Sequence, residues 1–157
     1  MRRRDKLITE CGEIDEIIRG SQVCRLALAV ENSPYIVPVS FGYDGNGIYF
    51  HTAKTGQKID FIEKNNRVCF EFERDVRLVP HPDEPCKWTF AFESVIGYGT
   101  VHELRDRKDM VRGLGYIMRQ YGGPHESFAE AAIAQIRIWM ISIQSMTGKR
   151  AGEKHAT

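Results

Sequence analysis

The stretch "YDGNGIYFHTAKTGQKIDFIEK", residues 43–64, contains a turn, a strand and a helix in direct succession. Its D-G-N-G segment is a strong signal for a β-hairpin, because Gly and Asn tolerate the positive φ angles of tight turns. The following run "IYFHTA" is typical of a strand, and residues 55–64 have an amphipathic helical pattern that buries Ile59 with Phe61 or Ile62. The hairpin predicts antiparallel neighbours for this strand.

Six stretches have the composition and alternation of strands. Few helical patterns separate them, whereas a parallel sheet needs a crossover helix between nearly every pair of strands. We therefore predict a mainly β fold, an antiparallel barrel with peripheral helices, in a single domain over residues 1–157. The predicted strands are residues 22–30, 35–43, 48–53, 65–74, 88–104 and 134–150.

Local signals refine this plan. Pro38 lacks an N–H donor, so its strand lies at a sheet edge or bulges there. Alternation in "VCFEFE", residues 68–73, predicts a strand with one face exposed to solvent. Gly97 and Gly99 in the next strand mark a bend or a close approach of the backbone to another group. The proline-rich residues 75–87 are predicted to form a long loop, which is often functional.

Three further helices are predicted. The clearest follows Asp106 and ends at the Gly-Gly-Pro sequence of residues 122–124. Another runs from about Thr9 or Cys11 to Arg19, and a shorter one covers residues 126–133. The clearest helix carries an apolar stripe that we assign to the core: Met110, Val111, Leu114, Ile117 and Met118.

Composition excludes several classes of protein. The 157 residues are 42% hydrophobic and 27% charged, as in soluble globular proteins. With 22 Lys and Arg against 21 Asp and Glu, the net charge of +1 argues against nucleic-acid binding through phosphate contacts. The basic start "MRRRDKLITECGE" has no apolar segment after it, and no run reaches the length of a membrane span. We expect a cytoplasmic protein that contacts no membrane.

The four cysteines do not form a metal motif. None lies in a C-x-x-C pair, and no histidines follow at zinc-finger spacing. Cys24 and Cys69 lie inside predicted strands, where a free thiol acts as a small hydrophobe. His81 and Cys86 are close in sequence, but the two prolines between them favour a loop over a ligand set. We expect no metal site.

Known phosphate and catalytic motifs are absent. "TGKR" at residues 147–150 lacks the first glycine of a P-loop, and "GYGTVH" at 97–102 lacks the third glycine of a dinucleotide fingerprint. Neither G-x-S-x-G nor H-E-x-x-H occurs. The strand-to-helix junction "HTAKTGQK" admits two interpretations: an anion bound at the helix start, or a polar loop with an ordinary N-cap at Thr55. A Cys–His nucleophile pair also stays open.

Three stretches together resemble a known family: residues 23–73, then "WTFAFESVIGYGTV", then "SMTGKR". The chain is similar, from about residue 7 to 150, to flavin-nucleotide-binding proteins related to pyridoxamine 5′-phosphate oxidase, in particular the nitroimidazole-resistance branch. The resemblance implies an antiparallel split β-barrel homodimer, with one FMN in each of two clefts at the subunit interface.

The resemblance places the FMN phosphate at Lys58, beside the N–H groups of residues 55–57, with Arg25 as a second cation and Leu26 and Ala27 next to it. A lone Arg among apolar residues also requires a partner on physical grounds. The resemblance also places Val39 and Ser40 against the isoalloxazine, and His51 and Thr52 beside the ribityl chain and ring. From the second subunit it implies contacts by Trp88, Ser94 and Gly97. Thr147 and Gly148 would complete the wall of the flavin cleft.

Each of these residues has a structural alternative. His51 could be a hydrogen-bonded strand residue, Trp88 a core or interface aromatic, Gly97 a bulge marker, and Arg25 a surface charge. With the resemblance, the phosphate interpretation of "HTAKTGQK" is preferred over the simple N-cap.

The implied activity is that of an FMN-dependent reductase that passes electrons to a small acceptor such as a nitroimidazole, with His51 as the candidate proton donor. Two rivals stay open: a non-catalytic flavin-binding protein, and a haem-handling split barrel with His51 or His81 as axial ligand. Pyridoxamine 5′-phosphate oxidase activity itself is not expected, because the ending "GKRAGEKHAT" lacks the segment with Arg and His that binds pyridoxal phosphate in that enzyme.

Overall fold

Eight strands form one antiparallel sheet in residues 6–124 and 127–152, the part of the chain that the computed structural model describes. The sheet curls around an apolar interior into the expected split β-barrel. Its strands are β1 (Leu7–Ile8), β2 (Cys24–Val30), β3 (Ser33–Val39), β4 (Gly42–Tyr43), β5 (Gly47–Thr52), β6 (Arg67–Val79), β7 (Thr89–Leu104) and β8 (Arg137–Ala151).

The strand order is β3-β2-β6-β7-β8-β5-β4, with β1 added to β8. β3 therefore lies at an edge, which confirms the prediction from Pro38. The two-residue β1 was not predicted, because a pair of apolar residues has no detectable alternation. The predicted strand over residues 35–43 is two strands, β3 and β4, separated by residues 40 and 41.

Four helices pack around the sheet: α1 (Cys11–Gly20), α2 (Gln57–Lys64), α3 (Arg107–Gln120) and α4 (Glu130–Ile133). Asp106 caps α3 through its side chain, which accepts hydrogen bonds from the Lys108 and Asp109 amides. α4 is shorter than the predicted 126–133 segment, and residue 126 lies outside the described residues.

The predicted D-G-N-G hairpin joins β4 to β5. The Asp44 carboxylate accepts hydrogen bonds from the Asn46 and Gly47 amides, both at 2.8 Å. Gly45 has φ +98°, a conformation that glycine adopts without steric cost. A second tight turn joins β2 to β3, where both Glu31 and Asn32 have positive φ. These two turns set the antiparallel pairing at both edges of the sheet.

The long β6–β7 hairpin corrects the prediction of a loop over residues 75–87. β6 continues to Val79, and the loop covers only residues 80–88. A bulge between Arg74 and Arg77, with Asp75 at φ +57°, interrupts the alternation and hides the continuing strand from a pattern search. The hairpin therefore projects further from the barrel than expected.

Two apolar clusters stabilise the fold. The first fills the barrel with the inward residues of the sheet together with α1 and α2. The second lies outside, where Leu114 and Ile117 of α3 pack with Tyr49 and Ile138 on the outer face of β5 and β8. The predicted apolar stripe of α3 is thus largely confirmed as core. α2 closes the barrel, with Ile59 and Ile62 buried and the Asn65 side chain donating to the Ala29 carbonyl at 2.9 Å.

Candidate functional site

The start of α2 presents unpaired backbone amides. Gly56 is the N-cap, with φ +140°, and no side chain caps the helix. The Ile59 and Asp60 amides both donate to the Gly56 carbonyl. The Gln57 and Lys58 amides have no acceptor among residues 6–124 and 127–152. The simple N-cap at Thr55 is therefore wrong: a glycine makes the turn, and the helix start is open to an anion.

Lys58 lies in the first turn of α2 and is half-buried. Within the described residues its ammonium forms no hydrogen bond or ion pair. Burial lowers the pKa of Lys58, because desolvation disfavours the charged form. A half-buried ammonium without a counter-ion, beside two open amides, is the donor set that a phosphate requires.

His51 and Thr52 are the last two residues of β5, and they differ in whether their side chains are free to bind a ligand. The Thr52 hydroxyl has used its one donor: it donates to the Ala53 carbonyl at 2.8 Å, and it also accepts from the Trp139 indole at 3.0 Å. The His51 side chain is exposed and has no hydrogen-bond partner in the described part of the chain. Desolvation and, second, the nearby charge of Lys58 lower the pKa of His51. The His51 imidazole is therefore close enough to Lys58 to be affected by its charge, and it is harder to protonate than a free imidazole.

Arg25 lies on the outer face of the sheet and has partners within its own chain. Its guanidinium bonds the Glu71 carboxylate at 3.0 Å and lies 3.6 Å from that of Glu73. Burial raises the pKa of Glu71, while Arg25 opposes that rise. A phosphate approaching Arg25 would meet two carboxylates. The predicted role as a second phosphate cation stays a prediction.

The other predicted cofactor residues divide between the two faces of the sheet. Those on the outer face, together with the exposed residue after β3, can present side chains to a ligand. Those that point inward can offer only backbone groups. The first group is Ala27, Ser40, Ser94 and Thr147, and the second is Leu26, Val39, Gly97 and Gly148.

Packing within the same chain explains why residue 97 is a glycine. A Cβ at this position would lie 2.2 Å from the Phe70 ring, which is fully buried in the barrel. The absence of a side chain therefore admits Phe70. A bulge does occur next to it, between Tyr98 and Gly99. The predicted backbone approach to a ligand stays a prediction.

Trp88 lies at the far end of the β6–β7 hairpin, with 52% of its surface exposed. Its indole N–H donates to the His81 carbonyl at 3.0 Å. The His81 Nδ1 accepts from the Glu84 amide at 3.1 Å. A histidine that ligates iron normally donates through its other ring nitrogen, so this arrangement does not suit an axial haem ligand.

Sequence reasoning missed Glu71, Trp139 and Gly56 as parts of the site. The Glu71 partner of Arg25 depends on the register of β2 against β6, in which the two residues face each other. Trp139 reaches Thr52 across the β5–β8 pairing, which no local pattern reveals. Gly56 alone carried a local signal, since a glycine just before a helical pattern is a possible N-cap.

The described residues contain neither a metal site nor a membrane-spanning helix. Among the described residues, no cluster of three or more His, Cys, Asp or Glu side chains is placed to hold a metal ion. In that same part of the chain, no helix has both the length and the apolar character needed to cross a membrane.

Comparison with known proteins supports the geometry. A protein of Rhizobium meliloti is 32% identical over 59 residues, a match that spans 38% of each chain. A FAD-binding protein of Mesorhizobium loti shares the fold at 22% identity, with TM-score 0.66 over 92% of this chain and 96% of that one. A candidate 5-nitroimidazole antibiotic resistance protein of Bacteroides thetaiotaomicron is 30% identical, with TM-score 0.79 over 94% of this chain and 90% of the other. The family model for pyridoxamine 5′-phosphate oxidase matches residues 10–150, and the chain belongs to that family.

Proposed function

We propose that this protein binds FMN and passes electrons from the reduced flavin to a small acceptor such as a nitroimidazole. The observation that carries the proposal is the Lys58 ammonium at the open start of α2, which has no partner within the described part of the chain. When bound, the flavin supplies the redox chemistry, while the protein supplies orientation, electrostatics and access. Similarity to the Bacteroides resistance protein supports the choice of acceptor.

The donor set favours a single phosphate. Lys58 and the open amides of Gln57 and Lys58 all belong to the first turn of α2, where the dipole also favours an anion. The glycine motif that binds a pyrophosphate is absent from the sequence. FMN has one phosphate and FAD has two, so these residues support FMN, although the Mesorhizobium neighbour is a FAD-binding protein.

Two chains are needed to complete the proposed cleft. The Asn66 carbonyl, just past α2, accepts from the Val101 amide at 2.8 Å, so α2 ends beside that part of β7. Trp88 precedes Val101 by 13 residues, which corresponds to about 40 Å along an extended strand. Lys58 and Trp88 of one chain are therefore poorly placed to hold one flavin. The same residues from two chains of a homodimer can do so.

The outer face of the sheet supports such a dimer. Ile36, Ile96 and Tyr98 are large apolar residues on this face, and each has about half or more of its surface exposed. They surround Ala27 and the Arg25–Glu71 pair. A second copy of the chain would remove this apolar surface from water.

The purified protein should carry FMN. We expect flavin absorption bands, FMN as the main species in chromatography of the heat-released cofactor, and reoxidation of the reduced protein by a nitroimidazole under anaerobic conditions. FAD as the main species would contradict the phosphate argument. A Soret band would favour haem handling, and a bound flavin that no acceptor reoxidises would favour a non-catalytic flavin-binding protein.

His51→Ala should retain flavin and lose nitro-reduction by about 10²-fold, as expected for removal of a general acid. The pKa of His51 is lowered from 6.5, first by burial and then by Lys58. If the imidazolium donates the proton, the wild-type rate should fall as pH rises through that lowered value, and the variant should lose this pH dependence.

His102→Ala is the matched control, because His102 is another exposed strand histidine. Its turnover should equal that of the wild type. Unchanged turnover in His51→Ala would assign His51 a structural role, and a flavin-free His51→Ala protein would make it a cofactor ligand only.

A further inference from the structure

The loop that carries Trp88 is organised by one histidine. Residues 80–88 connect β6 to β7 and include a short 3-10 turn, Pro85–Lys87. From residue 80 to residue 90, His81 is the only side chain that is not exposed. Its ring and its backbone carbonyl contact different parts of the loop, so His81 links these parts to each other.

Three hydrogen bonds converge on His81. The Nδ1 atom accepts from the Glu84 amide at 3.1 Å and, more weakly, from the Asp83 amide at 3.4 Å. The carbonyl oxygen accepts from the indole N–H of Trp88 at 3.0 Å. The two parts of one residue thus join the start of the 3-10 turn to the indole that follows it.

The ring must be neutral to act in this way. An imidazole that accepts at Nδ1 carries its single proton at Nε2, and a second proton at Nδ1 removes the acceptor. The charged groups of the loop are Asp83, Glu84 and Lys87, and the last two form an ion pair at 2.5 Å.

We propose that His81 is a positioning residue for Trp88: its neutral ring closes the 80–88 loop and holds the indole in the orientation that covers the flavin of the partner subunit. This inference rests on the proposed function.

The decisive comparison is between His81→Ala and His81→Asn. Asn keeps an acceptor close to the position of Nδ1, bonds the backbone two residues on, and does not titrate. The indole ¹⁵N–¹H signal of Trp88, distinguished from that of Trp139 by a Trp88→Phe sample, reports the order of the ring without any flavin.

At pH 8 we expect a high heteronuclear NOE for the Trp88 indole in the wild type and His81→Asn, and a low one in His81→Ala. Flavin affinity should fall about tenfold in His81→Ala, the loss expected when one stabilising hydrogen-bonded contact is removed. In His81→Asn it should stay within about twofold.

An indole NOE unchanged in His81→Ala would overturn the proposal, and so would a lost NOE with unchanged flavin affinity. Failure of the proposed function has a different signature: no form of the protein would bind flavin, while the NMR comparison would still report whether His81 orders Trp88.

Discussion

Lys58→Glu should yield a protein that purifies without flavin. The substitution places a carboxylate where the phosphate requires a cation, beside amides that cannot compensate for it. Two like charges about 4 Å apart in a partly exposed site repel by roughly 4 kcal/mol, and the attraction of the lysine is also lost. Affinity for added FMN should fall by about 10³-fold or more. Quenching of flavin fluorescence during titration measures it.

Lys64→Glu is the control with the same change of charge. Lys64 is in the last turn of the same helix and is exposed. Its FMN affinity should stay within a few-fold of the wild type, because the charge lies at the opposite end of α2. Equal losses in the two variants would show that net charge, rather than the Lys58 position, governs binding.

Trp88→Ala extends this prediction to the assembly. Removal of a large apolar cover should weaken FMN binding by about 2 kcal/mol or more. In a heterodimer of Lys58→Glu with Trp88→Ala, one cleft carries both lesions and the other carries neither, so one flavin per dimer should return. Empty, doubly tagged heterodimers would show that both residues act within one chain. A monomer in sedimentation would exclude a shared cleft.

Glu93→Ala should lower stability by about 3 kcal/mol, because it leaves two partly buried arginines without their counter-charge. Glu93 is buried on β7 and bonds Arg74 at 2.7 Å and Arg150 at 2.5 Å. Arg150 also bonds Glu13 of α1 at 3.0 Å. The network thus joins α1 to three strands. Urea denaturation measures the loss, and the melting temperature should fall by about 6–12 °C.

The contribution of Glu93 to the stability of the fold should depend on pH. Burial raises the pKa of Glu93, but hydrogen bonds from Arg150 and Arg74 outweigh burial and hold the pKa below 4.5. The folded pKa is depressed, so its stabilisation is present above pH 4.5 and is lost as pH falls through the lower folded value. The difference between wild type and Glu93→Ala should shrink only below about pH 4.5.

Glu16→Ala is the control for Glu93→Ala. Glu16 is an exposed glutamate of α1, and its loss changes the net charge equally. Its stability should stay within about 0.5 kcal/mol of the wild type. A Glu93→Ala protein as stable as this control would show that the buried network contributes nothing net.

Local patterns determined the elements of this fold. The D-G-N-G turn, the alternation of residues 68–73 and the apolar stripe of α3 depend on backbone preferences and on periodicity, which act over a few residues. The strand patterns also predicted an antiparallel barrel, and the resemblance specified a split barrel and marked Lys58. The exceptions were also local: the bulge near Asp75 hid the end of β6, and Gly56 replaced Thr55 as the N-cap.

Only the tertiary structure decided which predicted residues have side chains available to a ligand. Strand register places Glu71 against Arg25, and Trp139 against the hydroxyl of Thr52. The packing of Phe70 explains Gly97. Each of these contacts joins residues at least 27 positions apart, where neither periodicity nor turn chemistry carries information. Among residues 6–124 and 127–152 Lys58 has no hydrogen-bond or ion-pair partner, and that too is visible only in the tertiary structure.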